Sequence, residues 1–224
     1  MNNTLAIIPA RKGSKGVRHK NKKLVHGKPL IQYSIDVAKK TLLIDKIVIT
    51  TDDEDIMDIA EKNGVACVSR LKGISNDNSP IELAISQVIE KYPSYQNICL
   101  LQPTSPLRTT EDISDAISLF KKSDKSLTLV SVFRVDDGHP SRMYKKYGNT
   151  MKPLDIDNYG KRRQDLEELY LRNGCIYIFD RDRFIDEKKV ITENIISFQM
   201  PIERSINIDN SFDLAMLELF LSKN

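Results

Sequence analysis

Arg11, Lys15 and Lys20 stand in a loop, Arg11 to Lys23, that carries seven lysines or arginines and no acid. So much positive charge directly after an apolar run, "LAIIP" (5–9), suits a polyanion: a nucleic acid, a membrane surface or a nucleotide triphosphate. Gly13 and Gly16 let the backbone come close to a ligand and turn N–H groups toward it. The spacing is neither the phosphate-cradling G-x-x-x-x-G-K-[ST] nor G-x-G-x-x-G. A second constellation is "LQPTSPLRT" (101–109). Prolines stiffen it, and Gln102, Thr104, Ser105 and Arg108 supply hydrogen-bonding groups suited to a nucleotide or a sugar. The third, "RSINIDNSFDL" (204–214), offers Asp209 after a short apolar alternation that reads as a strand end. That carboxylate is either a Mg²⁺ ligand beside a triphosphate or, with Asn210 and Ser211, part of a helix N-cap.

Charge and composition narrow the polyanion. The chain has 34 basic and 31 acidic residues; without the loop's seven, 27 face 31, so the remainder is net −4. The basic charge is thus local, whereas nucleic-acid binding expects a basic face or stripe. No apolar run approaches the roughly 18 residues of a membrane span, and the N-terminus turns charged too soon for a signal-peptide core. Cys67, Cys99 and Cys175 lie in apolar stretches without metal-ligand spacing; they read as buried free thiols of a reducing cytoplasm. His19, His26 and His139 fall in loops, no Ser/His/Asp grouping is evident, and no general base is assigned.

The elements that must position these residues alternate. "KIVITT" (46–51), "VACVS" (65–69), "NICLLQ" (97–102), "SLTLVSVF" (126–133) and "GCIYIF" (174–179) read as strands. Between them lie helical patterns. Ile31, Ile35, Ala38 and Leu42 recur at helical spacing. "DEDIMDIAEKNG" starts with acids and stops at Gly64. "SPIELAISQVIEKY" places Ser79 as N-cap and Pro80 at the first helical position, and a further helix starts near Thr109 or Thr110. Strand–helix repetition predicts an α/β fold with a mainly parallel sheet and helices on both faces. Such sheets bind ligands beyond the carboxyl ends of their strands, the edge where the basic loop and the "QPTSPLR" turn belong. From about 136 to 173 the pattern lapses into a polar stretch. It reads as a β-rich arm that lids a site or embraces a second subunit, giving one domain over 1–224 with an arm. A last amphipathic helix closes the chain in "NSFDLAMLELFLSKN".

Taken together, "IPARKGSKGVRHKN", "TTDDEDI", "LQPTSPLRT", "RRQD…LRNGCIYIF" and "INIDNSFDL" resemble, over nearly the whole chain, the N-acylneuraminate cytidylyltransferases and their legionaminate and pseudaminate relatives. The resemblance implies a Rossmann-like, cytoplasmic, Mg²⁺-dependent enzyme. It joins CTP to a nine-carbon 2-keto acid sugar and works as a homodimer whose arm reaches the neighbour's site. It places Ala10, Arg11, Gly13, Ser14, Lys15, Asn21, Ser79 and Gln102 at the nucleotide, with Arg11, Lys20 and Asp209 carrying catalysis and Asp209 the metal. Gln102, Arg163, Gln164, Asn173 and Tyr177 would line the sugar pocket, with Arg163 reading the sugar's carboxylate. The alternative on residue type alone is that Arg162 and Arg163 are solvated arm residues pairing with Asp165 or Glu167. Enzymes of the 3-deoxy-manno-octulosonate branch carry Asp where Gln102 stands, so the resemblance points away from that branch. The sialic-acid members read D-x-D where this chain has Asn207-Ile208-Asp209, an amide that offers a cation a neutral oxygen and no charge.

Overall fold

Short β-branched runs become buried strands and amphipathic runs cover them in the computed structural model, which describes residues 3–13, 16–71, 73 and 79–222. Among these, the chain runs β1 (Thr4–Pro9), β2 (Leu24–Val25), β3 (Lys28–Pro29), α1 (Leu30–Lys40), β4 (Lys46–Thr51), α2 (Glu54–Lys62), β5 (Ala66–Ser69), α3 (Ile81–Lys91) and β6 (Asn97–Leu100). It continues through α4 (Thr110–Lys121), β7 (Thr128–Arg134), β8 (Tyr144–Tyr147), β9 (Thr150–Pro153), β10 (Tyr170–Asp180), α5 (Arg181–Glu187), β11 (Ile195–Gln199) and α6 (Ser211–Ser222). One sheet takes the order β11-β7-β10-β6-β1-β4-β5. All its neighbours pair parallel except β10, which is antiparallel to both β6 and β7. The mainly parallel α/β sheet expected from the alternation is therefore present.

Period-two alternation in β1 sends Ala6 and Ile8 to one face and Leu5 and Ile7 to the other. Ile8 packs with Ile35 of α1, Ile56 of α2 and Phe120 of α4. Ile7 packs with Ile85 of α3 and Phe184 of α5. Each such side chain, removed from water, contributes roughly 1.5–3 kcal/mol. A third, smaller apolar cluster joins Val17 and Val25 to Ile208, Leu214 and Leu217. It ties the basic loop to the segment that carries Asp209. The strand order reverses at β1: β4 and β5 extend to one side and β6 lies on the other. The loops after β1 and β6 leave the carboxyl edge there side by side, the edge where open α/β sheets bind ligands.

Several expectations need correction. Leu42 lies beyond α1 and is 92% exposed, because Thr41 turns extended and its hydroxyl donates back to the Val37 carbonyl. Pro80, not Ser79, is the N-cap residue of α3, and among the described residues no side chain caps that helix. Thr109 does cap α4, in a reciprocal box with Asp112. The segment before Asp209 is not a strand; it runs extended, with the Ile208 N–H donating to the Thr104 carbonyl. Strand β10 starts at Tyr170 rather than Gly174, and α5 and β11 carry no strong periodicity in sequence. Cys99 and Cys175 are buried, whereas Cys67 is exposed on the edge strand β5. The arm holds the hairpin β8–β9 and short 3₁₀ turns at Pro140–Arg142 and Arg163–Asp165.

Candidate active site

The loop after β1 leaves the sheet under tight control. Ala10 is fully buried; its N–H donates to the Thr50 carbonyl and its own carbonyl accepts from the Thr51 hydroxyl. Ala10 thus anchors the loop and does not itself line the cleft. The Asn21 amide donates to the Arg11 carbonyl at 3.1 Å, clipping the loop's two ends together. Acids from the start of α2 fix other parts: Asp52 accepts from the Lys12 N–H, and Lys22 bridges Asp53 and Asp55. The bond to Asp55 is the main reason that the Lys22 ammonium is held above its ordinary range. Some of the loop's charge is thereby used as scaffolding. Among the described residues, what faces the crevice is Arg11, Lys20 and a residue that no motif announced, Arg70 at the end of β5.

These three cations line a cleft of about 320 Å³ together with Gly13, Asn21, Ser79 and Gln102. Burial lowers the Arg70 guanidinium from its ordinary range; Asp52 opposes that and Arg11 adds to it. Its Nε is buried without a partner among the described residues. Two guanidiniums that disfavour each other in a desolvated crevice make a receptor for an anion. Ser79, released from capping, lies at this cleft. Ser14 and Lys15 lie outside the described residues.

Asp209 meets the loop from the other side. The Lys20 ammonium donates to the Ile208 carbonyl at 2.6 Å and to Asp209 Oδ1 at 3.1 Å. The cap of α6 is Asn210, whose side-chain oxygen accepts from the N–H groups of Phe212 and Asp213. Asp213 in turn accepts from the N–H groups of Asp209 and Asn210. Asp209 is thus spared from capping, and its side chain is 65% exposed. Asn207 turns its amide nitrogen toward Asp209 Oδ2. Gly16 makes the approach possible: a Cβ there would lie 1.8 Å from the Asp209 carbonyl oxygen.

Gln102 also borders a second cavity, lined by Arg172, Asn173, Tyr177, Ser205 and Asn207. Its floor is the irregularity in β10 between Arg172 and Tyr177, where Gly174 adopts φ +75°. Asn173 holds this bulge. Its Oδ1 accepts from the Ser131 hydroxyl at 2.6 Å and the Cys175 N–H at 3.1 Å, and its Nδ2 donates to the Ser205 hydroxyl. The carboxamide is committed to the fold, so Asn173 shapes the cavity rather than offering it a free polar group. Arg108 and Ser105 also differ from expectation, for both are buried. The Arg108 guanidinium donates to the Gln102 and Cys175 carbonyls and to the Ser34 hydroxyl. It is a bolt between the "QPTSPLR" turn and β10.

Arg163 and Gln164 do not join this cavity within the chain. They line a separate one on the arm with Arg134, Asp136 and His139, and Arg163 forms an ion pair with Asp136. The chain between them and Asn173 crosses from the arm into the sheet, so within one chain the two sets of residues lie apart.

Comparisons with known proteins bear on the family and the fold. Residues 5–212 match the sequence profile of the Cytidylyltransferase family. An N-acylneuraminate cytidylyltransferase of Escherichia coli O18:K1:H7 is 32% identical over 95% of this chain and 50% of its own length. The chain thus spans about half the length of that relative. A CMP-N,N'-diacetyllegionaminic acid synthase of Legionella pneumophila is 32% identical over 98% of this chain and 97% of its own. Among solved structures, a CMP:2-keto-3-deoxy-manno-octonic acid synthetase complexed with CTP shares the fold, with TM-score 0.73, 16% identity and 98% of each chain covered. Because the profile match runs from β1 and its basic loop through Asp209 to the start of α6, the chain belongs to the cytidylyltransferase family.

Proposed function

We propose that the chain transfers CMP from CTP to the anomeric hydroxyl of a nine-carbon 2-keto acid sugar of the sialic-acid type, releasing pyrophosphate. The observation that carries this reading is the pairing of a cation-lined cleft with a second polar cavity across one shared residue, Gln102. The sugar hydroxyl attacks the α-phosphorus in line, the bond to the β-phosphate breaks, and negative charge collects on the leaving pyrophosphate. Arg11, Lys20 and Arg70 stand where they offset that charge. Asn21 and Gly13 fit backbone-lined phosphate contacts, and Ser79 and Gln102 fit contacts to the nucleotide. A hard divalent cation suits the donor set, because Asp209 presents an exposed carboxylate beside Lys20 and Asn207 orients it. Asp209 would hold Mg²⁺, which would supply neutralisation of the phosphate charge. Legionaminic and pseudaminic acids are the alternative sugars; relatives named for them match along 97% of their own length. Pyrophosphate release measured across these three sugars and four nucleoside triphosphates tests the reading. CTP with one of the acid sugars is expected to be the productive pair, and release without any sugar would contradict it.

Gly16→Ala is expected to raise the CTP KM about tenfold or more, since the backbone itself must shift to admit a Cβ. Thermal unfolding is expected to change far less than the KM. A KM within twofold of wild type would show that the loop and Asp209 need not approach closely.

The enzyme is further proposed to act in the cytoplasm as a homodimer. No helix among the described residues is long and apolar enough to cross a membrane. The arm exposes Tyr144, Tyr147, Met151, Leu154, Ile156 and Tyr159, although its sequence reads as polar. That is more apolar surface than an isolated hairpin retains in water. Sedimentation is expected to give a dimer, and Tyr147→Asp with Met151→Asp to dissociate it. An active monomer in the wild type would rule this out.

A further inference from the structure

We propose that Lys22 is a positioning residue for CTP: clamped onto the start of α2, it sets the turn from which Lys20 and Asn21 reach the cleft. The inference rests on the function proposed above and adds a residue that acts on the nucleotide through others. Lys22 is not among the described residues lining the cleft, whereas Lys20 and Asn21 are. The three occupy one 3₁₀ turn, Lys20–Lys22, entered through His19 at φ 55°. Each sends its side chain to a different element. Lys20 donates to the Ile208 carbonyl and Asp209, Asn21 to the Arg11 carbonyl, and Lys22 to Asp53 and Asp55. A turn tied on three sides is held in one orientation. Of the three ties, the one to α2 alone has its donor and its acceptors outside the cleft lining.

The junction between β4 and α2 is shaped to receive the whole loop. The Thr51 hydroxyl accepts from the Asp53 N–H and donates to the Ala10 carbonyl, where the loop begins. Asp52 accepts from the Lys12 N–H at 2.7 Å. Asp53 takes the Lys22 ammonium at 3.1 Å, where the loop ends. The Asp53 side chain is 5% exposed, so its charge relies on that partner rather than on water. It also accepts from the Asp55 N–H as the N-cap of α2. One carboxylate thus serves a helix cap and the clamp together. Asp55 is exposed, yet Lys22 first, and Lys12 and His19 beyond it, hold its carboxyl below the ordinary range.

Charge gives the clamp a purpose. The seven basic residues between Arg11 and Lys23 repel one another, and they suit a triphosphate only where they converge. Carboxylates placed behind the loop offset the repulsion, while the side toward the cleft stays cationic. An anion then meets cations already in place, and the cost of ordering them at binding falls.

The test measures CTP binding by calorimetry on the full chain, with Mg²⁺ and without sugar. Lys22→Met removes the donor and Lys22→Arg keeps one. Asp53→Asn with Asp55→Asn removes the acceptors' charge, and Asn at position 53 still caps α2. Lys22→Met is expected to raise the CTP Kd about tenfold, the lower end of what losing one charge-assisted contact gives. The paired Asn variant is expected to do the same, although two lost negative charges would by themselves tighten an anion. Joined to Lys22→Met, it should add less than about twofold, because one clamp is broken either way. Lys22→Arg should bind CTP nearly as the wild type does, and the acid-sugar KM at saturating CTP should hold in every variant. Unchanged CTP affinity in Lys22→Met overturns the inference. So does unchanged or tighter binding in the paired Asn variant, which would make Lys22 a direct phosphate contact. An equal loss for CTP and sugar does so too, because it marks general destabilisation. A wild type that binds no CTP fails the functional reading itself; a wild type that binds it as tightly as the variants fails only the clamp.

Discussion

Asp209→Asn is expected to lower sugar-dependent pyrophosphate release about 100- to 1,000-fold, the usual size of removing one preorganised electrostatic group from a transfer site, while the fold survives. The separation of the two effects follows from who caps α6. Asn210 accepts from the Phe212 and Asp213 N–H groups, and Asp213 closes the box onto Asp209 and Asn210. The Asp209 side chain takes part in none of these bonds. Its contact with Lys20 is an ion pair with a largely exposed acid, a kind worth roughly 0–1 kcal/mol. The variant should therefore melt within about 3 °C of wild type, at roughly 2–4 °C per kcal/mol for a chain of this size. Asn keeps the shape and removes the charge that a divalent cation requires. Thermal unfolding and a coupled pyrophosphate assay on the same preparation decide the matter. Retained activity, or a melting loss that parallels the activity loss, would return Asp209 to a structural role.

The second large effect concerns stability. Arg108→Met is expected to destabilise the protein by about 3 kcal/mol, since two main-chain carbonyls and a buried hydroxyl lose a charged donor. At the same conversion this is a fall in Tm of about 6–12 °C. The guanidinium is buried among the Gln102 and Cys175 carbonyls and Ser34, and burial pushes its pKa down to about 10. Because Gln102 borders both cavities, the variant should also use CTP and sugar poorly at temperatures well below its melting point. A Tm within 2 °C of wild type would mean that apolar packing replaces the bolt without cost.

The sheet was legible because its strands are short β-branched runs and its helices amphipathic, so periodicity carries both. A helix start near Thr109 or Thr110 was legible, and the structure closes it with a box between Thr109 and Asp112. Leu42 was not, since helical spacing continues through a position where Thr41 has already bent the backbone away. The cations of the basic loop were visible as a group, but their division was not. Lys22 serves Asp53 and Asp55 while Lys20 serves Asp209, a choice made by elements far away in the chain. Arg70 was invisible for the same reason: it stands alone in "SRLKG" and acquires meaning when β5 ends beside β4 at the crevice.

The central claim is that the two cavities meeting at Gln102 form one transfer site, and mass spectrometry of the reaction product tests it most directly. With CTP labelled at the α-phosphate, Mg²⁺ and the three acid sugars, the account predicts a labelled CMP-sugar and one pyrophosphate per CMP transferred. Label recovered only as free CMP or unreacted CTP, with no sugar adduct from any one of the three sugars tried in turn, would contradict it.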